Sequence, residues 1–502
     1  MLCLACSTAF AQFTFTEKES TPFTGVNFSS IAFADVNKDG HPDVLITGWL
    51  GGSERIAKLY LNDGSGNFTE KTEGASFAGV NFSSIAFADV DKDGDQDVLI
   101  TGSTGSEGTS KLYLNNGSGG FTEKESTPFT GVGESSIAFA DVDKNGYEDV
   151  LITGADGSLL SSSNLYLNDG EGGFTSETTS FTRVKNGSIA FADVNGDGHQ
   201  DVLITGEGFF STRAASLYLN NGSGGFTLKA APFTGVSLSS IAFADVNKDG
   251  HQDVLITGET DTGRIANLYL NDGSGNFTEK TEGASFAEVS GSSIAFADVD
   301  KDGDPDVLIT GYDGAKNVAN LYLNDGEGNF MEKSGTPFAE VAPSSIAFAD
   351  VDKDGDQDVL ITGQNNDLER IAKLYINDQA PVFSSESSAS VPENTTAVLT
   401  VSADDDSETL TYSVSGGADR SLFSINRNSG ALTFNTAPDF EAMSSDAGNN
   451  IYVVEVTASD GVNDVTQTIT VTVDDVNEAP AFDTPSGTTW FYVEENAEDA
   501  NV

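Results

Sequence analysis

The sequence predicts an all-β protein: a seven-bladed β-propeller with a metal loop in every blade, followed by an Ig-like β-sandwich. Three observations predict it. The phrase Ser-Ile-Ala-Phe-Ala-Asp-Val returns seven times, with its Asp at 35, 89, 141, 193, 245, 298 and 350. Every return opens an acidic loop of one pattern. After residue 380 the period stops, but strand-like alternation continues. Spacings of 54, 52, 52, 52, 53 and 52 residues with strand-like content are the mark of propellers and β-arrays.

The first dozen residues stand apart. Met1-Leu-Cys-Leu-Ala-Cys-Ser-Thr-Ala-Phe-Ala-Gln12 holds both cysteines, Cys3 and Cys6, and ends in an Ala-Phe-Ala cleavage signature. We read 1–11 as a signal peptide with a shortened start, with a lipid anchor at Cys6 as the alternative. Cleavage at Ala11 leaves no cysteine, so an exported chain without disulfides needs another staple, which bound metal supplies.

Within 12–378 each unit reads as four strands. They are Ile-Ala-Phe-Ala-Asp-Val, Asp-Val-Leu-Ile-Thr-Gly, a Leu-Tyr-Leu-Asn run such as Leu59 to Asn62, and Asn67-Phe-Thr-Glu70 or its like. The third and fourth are joined by Asn-Asp-Gly-Ser-Gly, and Asp-Gly pairs supply the positive φ of tight hairpins. Four strands per unit and seven units fit a propeller. Gln12-Phe-Thr-Phe-Thr-Glu-Lys18 matches a fourth strand without the other three, and the last repeat stops after its third strand at Asn377. The first strand is therefore expected to complete the last blade and hide an open sheet edge.

Seventy-eight acidic against 24 basic residues give a net charge of −54, which repels a phosphate backbone and excludes nucleic acid as a partner. Hydrophobic residues at 38% and acids in regular clusters argue against disorder. Acids at fixed intervals point to cations. The nine-residue loop is D-x-[DN]-x-[DN]-G-x-x-D. Positions 1, 3, 5, 7 and 9 are Asp35, Asn37, Asp39, His41 and Asp43 in the first repeat, and Asp89, Asp91, Asp93, Asp95 and Asp97 in the second. The third has Asp141, Asp143, Asn145, Tyr147 and Asp149, and the fourth Asp193, Asn195, Asp197, His199 and Asp201. Asp245, Asn247, Asp249, His251 and Asp253 follow, then Asp298, Asp300, Asp302, Asp304 and Asp306, then Asp350, Asp352, Asp354, Asp356 and Asp358.

Calcium takes six to eight hard oxygen ligands. Positions 1, 3 and 5 face one centre, Gly at position 6 permits the sharp turn, the carbonyl of position 7 adds an oxygen, and Asp at position 9 closes the cage. Position 12 is Ile, as in Ile46, where an EF-hand needs Glu. Magnesium prefers to keep its waters, and zinc is offered no Cys or clustered His. The competing reading is seven ion-free Asx-turns, in which three to five close carboxylates would repel one another.

These residues resemble the FG-GAP or VCBS-type repeats of bacterial exoproteins and are similar to the calcium-bearing blades of integrin α-chain propellers. The resemblance covers nearly all of 13–378 and implies about seven structural calcium ions. Loops with Asn at position 3 or 5 (Asn37, Asn145, Asn195, Asn247) are expected to bind more weakly than the all-Asp loops of repeats two, six and seven.

Past a linker at Asn377-Asp-Gln-Ala-Pro381, runs such as Ala397 to Ser402, Leu410 to Val414, Ile451 to Val456 and Gln467 to Val473 suggest about seven short strands in a hundred residues, a sandwich. Several phrases in 379–480 resemble the cadherin repeat: Pro392-Glu393-Asn394, Asp404-Asp405-Asp406, Asp439-Phe440-Glu441, Ala458-Ser-Asp460 and Asp475-Val-Asn477-Glu478-Ala-Pro480. The resemblance implies that Glu393, Asp439, Glu441, Asp475, Asn477 and Glu478 face calcium shared with a following domain, and that Asp404, Asp406 and Asp460 face a preceding one. Val493-Glu-Glu-Asn496 echoes the start of a second such domain over 481–502. Both interdomain sites are expected to be incomplete within these 502 residues, which read as part of a longer chain.

The loops between second and third strands vary most. They carry Trp49 with Arg55, Leu159 with Leu160, Phe209 and Phe210 with Arg213, Arg264, Tyr312 and Arg370. Exposed aromatics and Arg are typical binding anchors, so Trp49, Phe209, Phe210 and Tyr312 mark an expected ligand face. The competing reading is tolerant loop residues that pack locally. The expectation is a secreted or cell-surface adhesion protein, with the propeller as ligand-binding head and the cadherin-like repeats as a calcium-stiffened stalk. Its partner would be a cell-surface protein, a polysaccharide, or another copy. The alternative is a lectin-like carbohydrate-binding module of a larger secreted protein or enzyme. Catalysis by the chain itself is not expected. Its only histidines are the three in metal loops, which leaves none for a Ser-His-Asp arrangement.

Overall fold

The computed structural model describes residues 13–405 and 410–479, so the expected signal peptide, Asp406 and the second cadherin-like start lie outside the described residues. The chain forms two compact units that part between Asn377 and Asp378.

Among the described residues the first unit contains seven four-stranded antiparallel sheets arranged like propeller blades. The first repeat shows the plan: Asn27–Ala34 inside, then Asp43–Gly51, Glu54–Asn62 and Phe68–Glu70 outward. The inner strand ends at Ala34, earlier than its hydrophobic run suggests, because Asp35 is drawn into the loop. Inner strands neighbour one another in a closed cycle in which the first also lies beside the last, Val341–Ala349. The last sheet takes Phe13–Glu17 as its outer strand, beside Arg370–Gln379. The expected split repeat is thus present.

The second strands, Asp-Val-Leu-Ile-Thr-Gly, are buried throughout, as strands covered on both faces must be. The core lies between sheets. Val36, Leu45 and Leu59 of the first repeat, for example, pack on Val80, Ile85, Val98, Ile100 and Tyr113 of the second. The third-strand tyrosines are fully buried, and six of their hydroxyls accept backbone N–H groups, as Tyr113 does from Ala78 at 3.0 Å. The third-strand Asn ties each repeat to the one before: Asn115 Nδ2 donates to the Val36 carbonyl at 2.8 Å. Asn62 Nδ2 donates to the Val351 carbonyl, also at 2.8 Å, so the first and seventh repeats meet as any adjacent pair does.

The second unit is a β-sandwich. One sheet orders Ser388–Pro392, Asp464–Asp474, Ile451–Ser459 and Thr411–Gly416, and the other joins Ala397–Thr400, Ala431–Phe434 and Phe423–Ile425. Val454, Val456, Ile469, Val471, Phe423, Phe434 and Tyr452 fill the space between.

Candidate metal sites

Each acidic loop hangs between an inner strand and the second strand, at the same end of the blade as the hairpin joining strands three and four. Gly40 at position 6 has φ 82° and Lys38 at position 4 has φ 59°. The two left-handed residues coil the loop so that alternate side chains converge.

Position 9 does more than close the loop. Asp43 is fully buried. Its Oδ2 accepts the Val36 N–H at 3.1 Å and its Oδ1 the Asn62 N–H at 2.8 Å. The same pair of bonds recurs at Asp97, Asp149, Asp201, Asp253, Asp306 and Asp358. This aspartate therefore joins the loop to the inner and third strands. Burial is the largest influence on its carboxyl. It pushes Asp43, Asp149, Asp201 and Asp253 up to about 6, Asp97 to about 7, and Asp306 and Asp358 to about 8.

Positions 1, 3 and 5 divide the loops into two kinds. Where position 3 is Asn, the loop satisfies itself. Asn37 Nδ2 donates to Asp39 Oδ2 at 2.8 Å, Asn195 Nδ2 donates to Asp197 Oδ2 at 3.0 Å, and Asp35 Oδ2 accepts the Gly40 N–H at 2.8 Å. Where position 3 is Asp, that amide is lost, and in the third loop Asn145 at position 5 donates instead, to Asp143 Oδ2 at 3.2 Å. Asp89 Oδ1, Asp91 Oδ1, Asp141 Oδ1, Asp298 Oδ1, Asp300 Oδ2 and Asp352 Oδ1 are buried without a hydrogen-bond partner. Carboxylate oxygens converge within 4.8 Å in Asp89/Asp91/Asp97, Asp141/Asp143/Asp149, Asp298/Asp300/Asp302 and Asp350/Asp352/Asp358. Burial first, then the neighbouring Asp302 and Asp298, raise Asp300 to about 6. Orphaned buried carboxylate oxygens around one centre fit a hard divalent cation with oxygen ligands.

Position 7 contributes side-chain contacts that the sequence pattern did not reveal. Its side chain lies over a glycine of the outer hairpin. A Cβ at Gly64 would fall 2.1 Å from the His41 ring, and one at Gly117 would fall 2.7 Å from Asp95. Tyr147, His199, His251 and Asp304 cover Gly170, Gly222, Gly273 and Gly326 in the same way. Position 4 of the preceding loop reaches it from the side. Lys38 pairs with Asp95, Lys248 with Asp304 at 2.5 Å and Lys301 with Asp356 at 2.5 Å, while Lys92 sits 5.5 Å from the centre of the Tyr147 ring. The signal was present as Lys at position 4 in six of seven loops.

In the second unit Glu393, Glu441 and Asp475 converge within 4.8 Å. Glu393 is buried, accepting the Phe440 and Val476 N–H groups at 2.9 Å each. Asp439 accepts the Glu441 N–H at 3.0 Å and shapes that turn. Asn394 Nδ2 donates to Glu478 at 2.6 Å, and Asn477 lies in the same segment. Asp404 and Asp460 belong to no acidic group of three among the described residues, where Asp460 instead accepts the Val462 and Asn463 N–H groups at 2.6 and 2.7 Å.

At the opposite end of the blades, Trp49 and Tyr312 are held by neighbours. Arg370 stacks 4.6 Å from the Trp49 ring and Arg264 stacks 4.9 Å from the Tyr312 ring. Trp49 Nε1 donates to the Gly52 carbonyl at 3.1 Å and the Tyr312 hydroxyl to the Gly314 carbonyl at 2.8 Å. Phe209 and Phe210 stand out at 59% and 92% exposure, in mutual edge-to-face contact at 4.7 Å.

The raised position-9 carboxyls predict a pH dependence in a chelating buffer. The folded state holds protons that the unfolded state, with Asp near 3.8, has released. Stability then falls as pH rises from about 4 to about 8. Asp63, Asp169, Asp272, Asp313 and Asp325 are lowered by hydrogen bonds and act below that window. Scanning fluorimetry in EDTA is expected to give a lower melting temperature at pH 8 than at pH 5, and added divalent cation narrows the gap. A melt independent of pH in EDTA would contradict this account.

The FG-GAP-like repeat family matches residues 49–100, 97–152, 141–204, 245–309 and 298–361, together more than half of the chain, and the cadherin domain family matches 387–474. No curated protein matches the chain. Among solved structures, human protocadherin-24 EC1-2 is 26% identical over 23% of this chain and 58% of its own length, with a TM-score of 0.17. The lectin of Aleuria aurantia, a six-bladed propeller with a fucose recognition mode, is 11% identical over 59% of this chain and 92% of its own, TM-score 0.35. The rhamnogalacturonan lyase YesW is 14% identical over 72% of each chain, TM-score 0.37.

Proposed function

The chain belongs to the FG-GAP-like repeat family and carries a cadherin domain behind its repeats, and from that premise we propose that it is an extracellular, calcium-stabilised recognition or adhesion protein. Calcium holds the propeller loops and the Glu393, Glu441 and Asp475 group. The face away from the loops binds a cell-surface protein or polysaccharide, and the chain itself catalyses nothing.

One observation carries the recognition reading. Among the described residues of the first unit ten large hydrophobic side chains are exposed, and eight of them lie on the face away from the loops: Phe82, Leu159, Leu160, Phe209, Phe210, Leu238, Tyr312 and Leu368. A concentrated, one-sided apolar display on so acidic a protein is what an interaction surface looks like. The lectin reading draws on the axial pocket of that face. Phe28 and Phe82 stack there at 4.1 Å beside Leu238, Pro343 and several serines, around a cavity of about 150 Å³.

The test is binding of labelled protein to a glycan and cell-surface panel, with and without EDTA. A selective partner is expected in calcium and lost in EDTA. Phe209→Ala with Phe210→Ala is expected to weaken it at least tenfold while leaving the melt unchanged, since both rings are exposed. Folded protein that selects nothing on the panel would remove the recognition reading and leave a spacer.

A further inference from the structure

Position 4 of each metal loop stands in the left-handed region, where glycine is least strained, and the fourth loop does place Gly196 there. The other six loops place lysine there, at φ 57–66°. The lysine side chain leaves its own loop and ends beside position 6 of the next. A Cβ at Gly94 would fall 3.5 Å from Lys38 Nζ, one at Gly303 3.9 Å from Lys248 Nζ, and one at Gly355 3.8 Å from Lys301 Nζ. Lys144 and Lys353 approach Gly198 and Gly40 in the same way, at 3.5 and 3.4 Å. The cation of one loop thus lies against the acids of another.

The acids are distributed to match. Asp stands at position 7 only in the second, sixth and seventh loops, which carry carboxylates at all of positions 1, 3, 5, 7 and 9. Each of those position-7 aspartates is buried, and each pairs with the lysine of the loop before it: Asp95 with Lys38, Asp304 with Lys248 at 2.5 Å and Asp356 with Lys301 at 2.5 Å. The fifth loop, preceded by Gly196 instead of lysine, has His251 at position 7. The ammonium also feels the other acids of the loop it reaches. The hydrogen bond to Asp95 first, and then the charges of Asp93 and Asp89, hold Lys38 above its ordinary range. Asp304, then Asp302 and Asp298, do the same for Lys248. Both lysines are half exposed, so what they bring to the junction is charge more than packing.

We propose that the position-4 lysine is a tethered counter-ion for the loop that follows it, and that it sets the calcium concentration at which the five-acid loops fill. In the empty loop its charge replaces part of the cation and offsets repulsion among Asp89, Asp93 and Asp95, or among Asp298, Asp302 and Asp304. In the filled loop the same charge opposes the ion. Acid count alone makes the second, sixth and seventh loops much tighter than those with Asn at position 3. The lysine brings the two kinds closer together, at the cost of affinity in the more acidic one. This assignment rests on the calcium reading of the loops and supplies the residue that regulates them.

The test uses the full chain and its melting temperature over a series of buffered free calcium concentrations. Wild type is compared with the triple variant Lys38→Met, Lys248→Met and Lys301→Met, and with the same three positions changed to Arg. Met keeps a long unbranched stem and drops the charge, whereas Arg keeps both. In EDTA the Met variant is expected to melt about 3–5 °C below wild type, because three buried carboxylates lose their cation. Its calcium midpoint is expected to fall about fivefold, so the deficit in melt narrows as calcium saturates. The Arg variant is expected to follow wild type in both respects. An unchanged calcium midpoint in the Met variant, with the same deficit in both buffers, would make the lysines plain staples between blades and overturn the proposal, as would a midpoint that rises. Failure of the calcium reading looks different: a wild-type melt that ignores calcium removes the metal loops and their regulator together, while a wild type that responds with a midpoint untouched by Met removes the regulator alone.

Discussion

Stripping calcium with EDTA is expected to lower the melting temperature of the propeller by on the order of 10–20 °C. At ten times its Kd an ion adds about 1.4 kcal/mol per site, and the seven filled sites that the repeat pattern implies would add roughly 10. In a unit of this size each kcal/mol is worth about one to two degrees. The loss should not be shared evenly. Loops with Asp at position 3 hold buried carboxylate oxygens without partners, whereas Asn37 and Asn195 neutralise theirs with an amide. Asp300→Asn therefore has opposite effects in the two buffers. In EDTA it is expected to raise the melt by relieving repulsion with Asp302 and Asp298 and donating as Asn37 does. In calcium it is expected to lower the melt by removing a charged ligand. Calorimetry with and without chelator decides the matter. A melt that ignores EDTA eliminates the metal-staple account, and an Asp300→Asn effect of one sign in both buffers eliminates the division of loops.

The second large effect is at position 9. Asp358→Asn is expected to destabilise in calcium and in EDTA alike, by about 3–5 kcal/mol. Asp358 Oδ1 accepts the Asn377 N–H at 2.8 Å and Oδ2 the Val351 N–H at 2.9 Å, at 1% exposure. An amide must turn its NH₂ toward one of these donors, leaving two buried donors facing each other. The carboxylate here is a structural joint whether or not it touches an ion. If Asp358→Asn were harmless in EDTA, the position-9 aspartates would be ligands and nothing more.

Much of this was legible in the sequence. The period, the four strands, the split last repeat and the converging acids follow from local pattern, because hydrophobic alternation and loop spacing repeat at fixed intervals. The double duty of position 9 was not, since its second partner is a backbone N–H eighteen or nineteen residues away on another strand. Position 7 was read for its carbonyl alone. Its side-chain role depends on Lys38, Lys248 and Lys301 arriving from the blade before. Trp49 and Tyr312 suggested ligand anchors by residue type; Arg370 and Arg264 stack on them, contacts between residues some three hundred and some fifty positions apart in sequence that the packing of neighbouring blades brings together. Phe209 and Phe210 stand where the loop pattern suggested, exposed, and the preceding blade has Ser161 at the strand position where Arg370 and Arg264 stand in theirs.

The closing sheet also has a mechanical meaning. Arg370–Gln379 is the strand from which the chain leaves the propeller for the sandwich, and it is hydrogen-bonded along both edges, to Phe13–Glu17 and to Asp358–Asn365. Tension arriving from the sandwich therefore cannot peel a free edge. It has to shear two ladders at once, with Asn377 further tied to the Val299 carbonyl of the preceding blade at 2.8 Å and its N–H held by Asp358. The point of attachment is thus an interior strand of its blade, fastened along both edges.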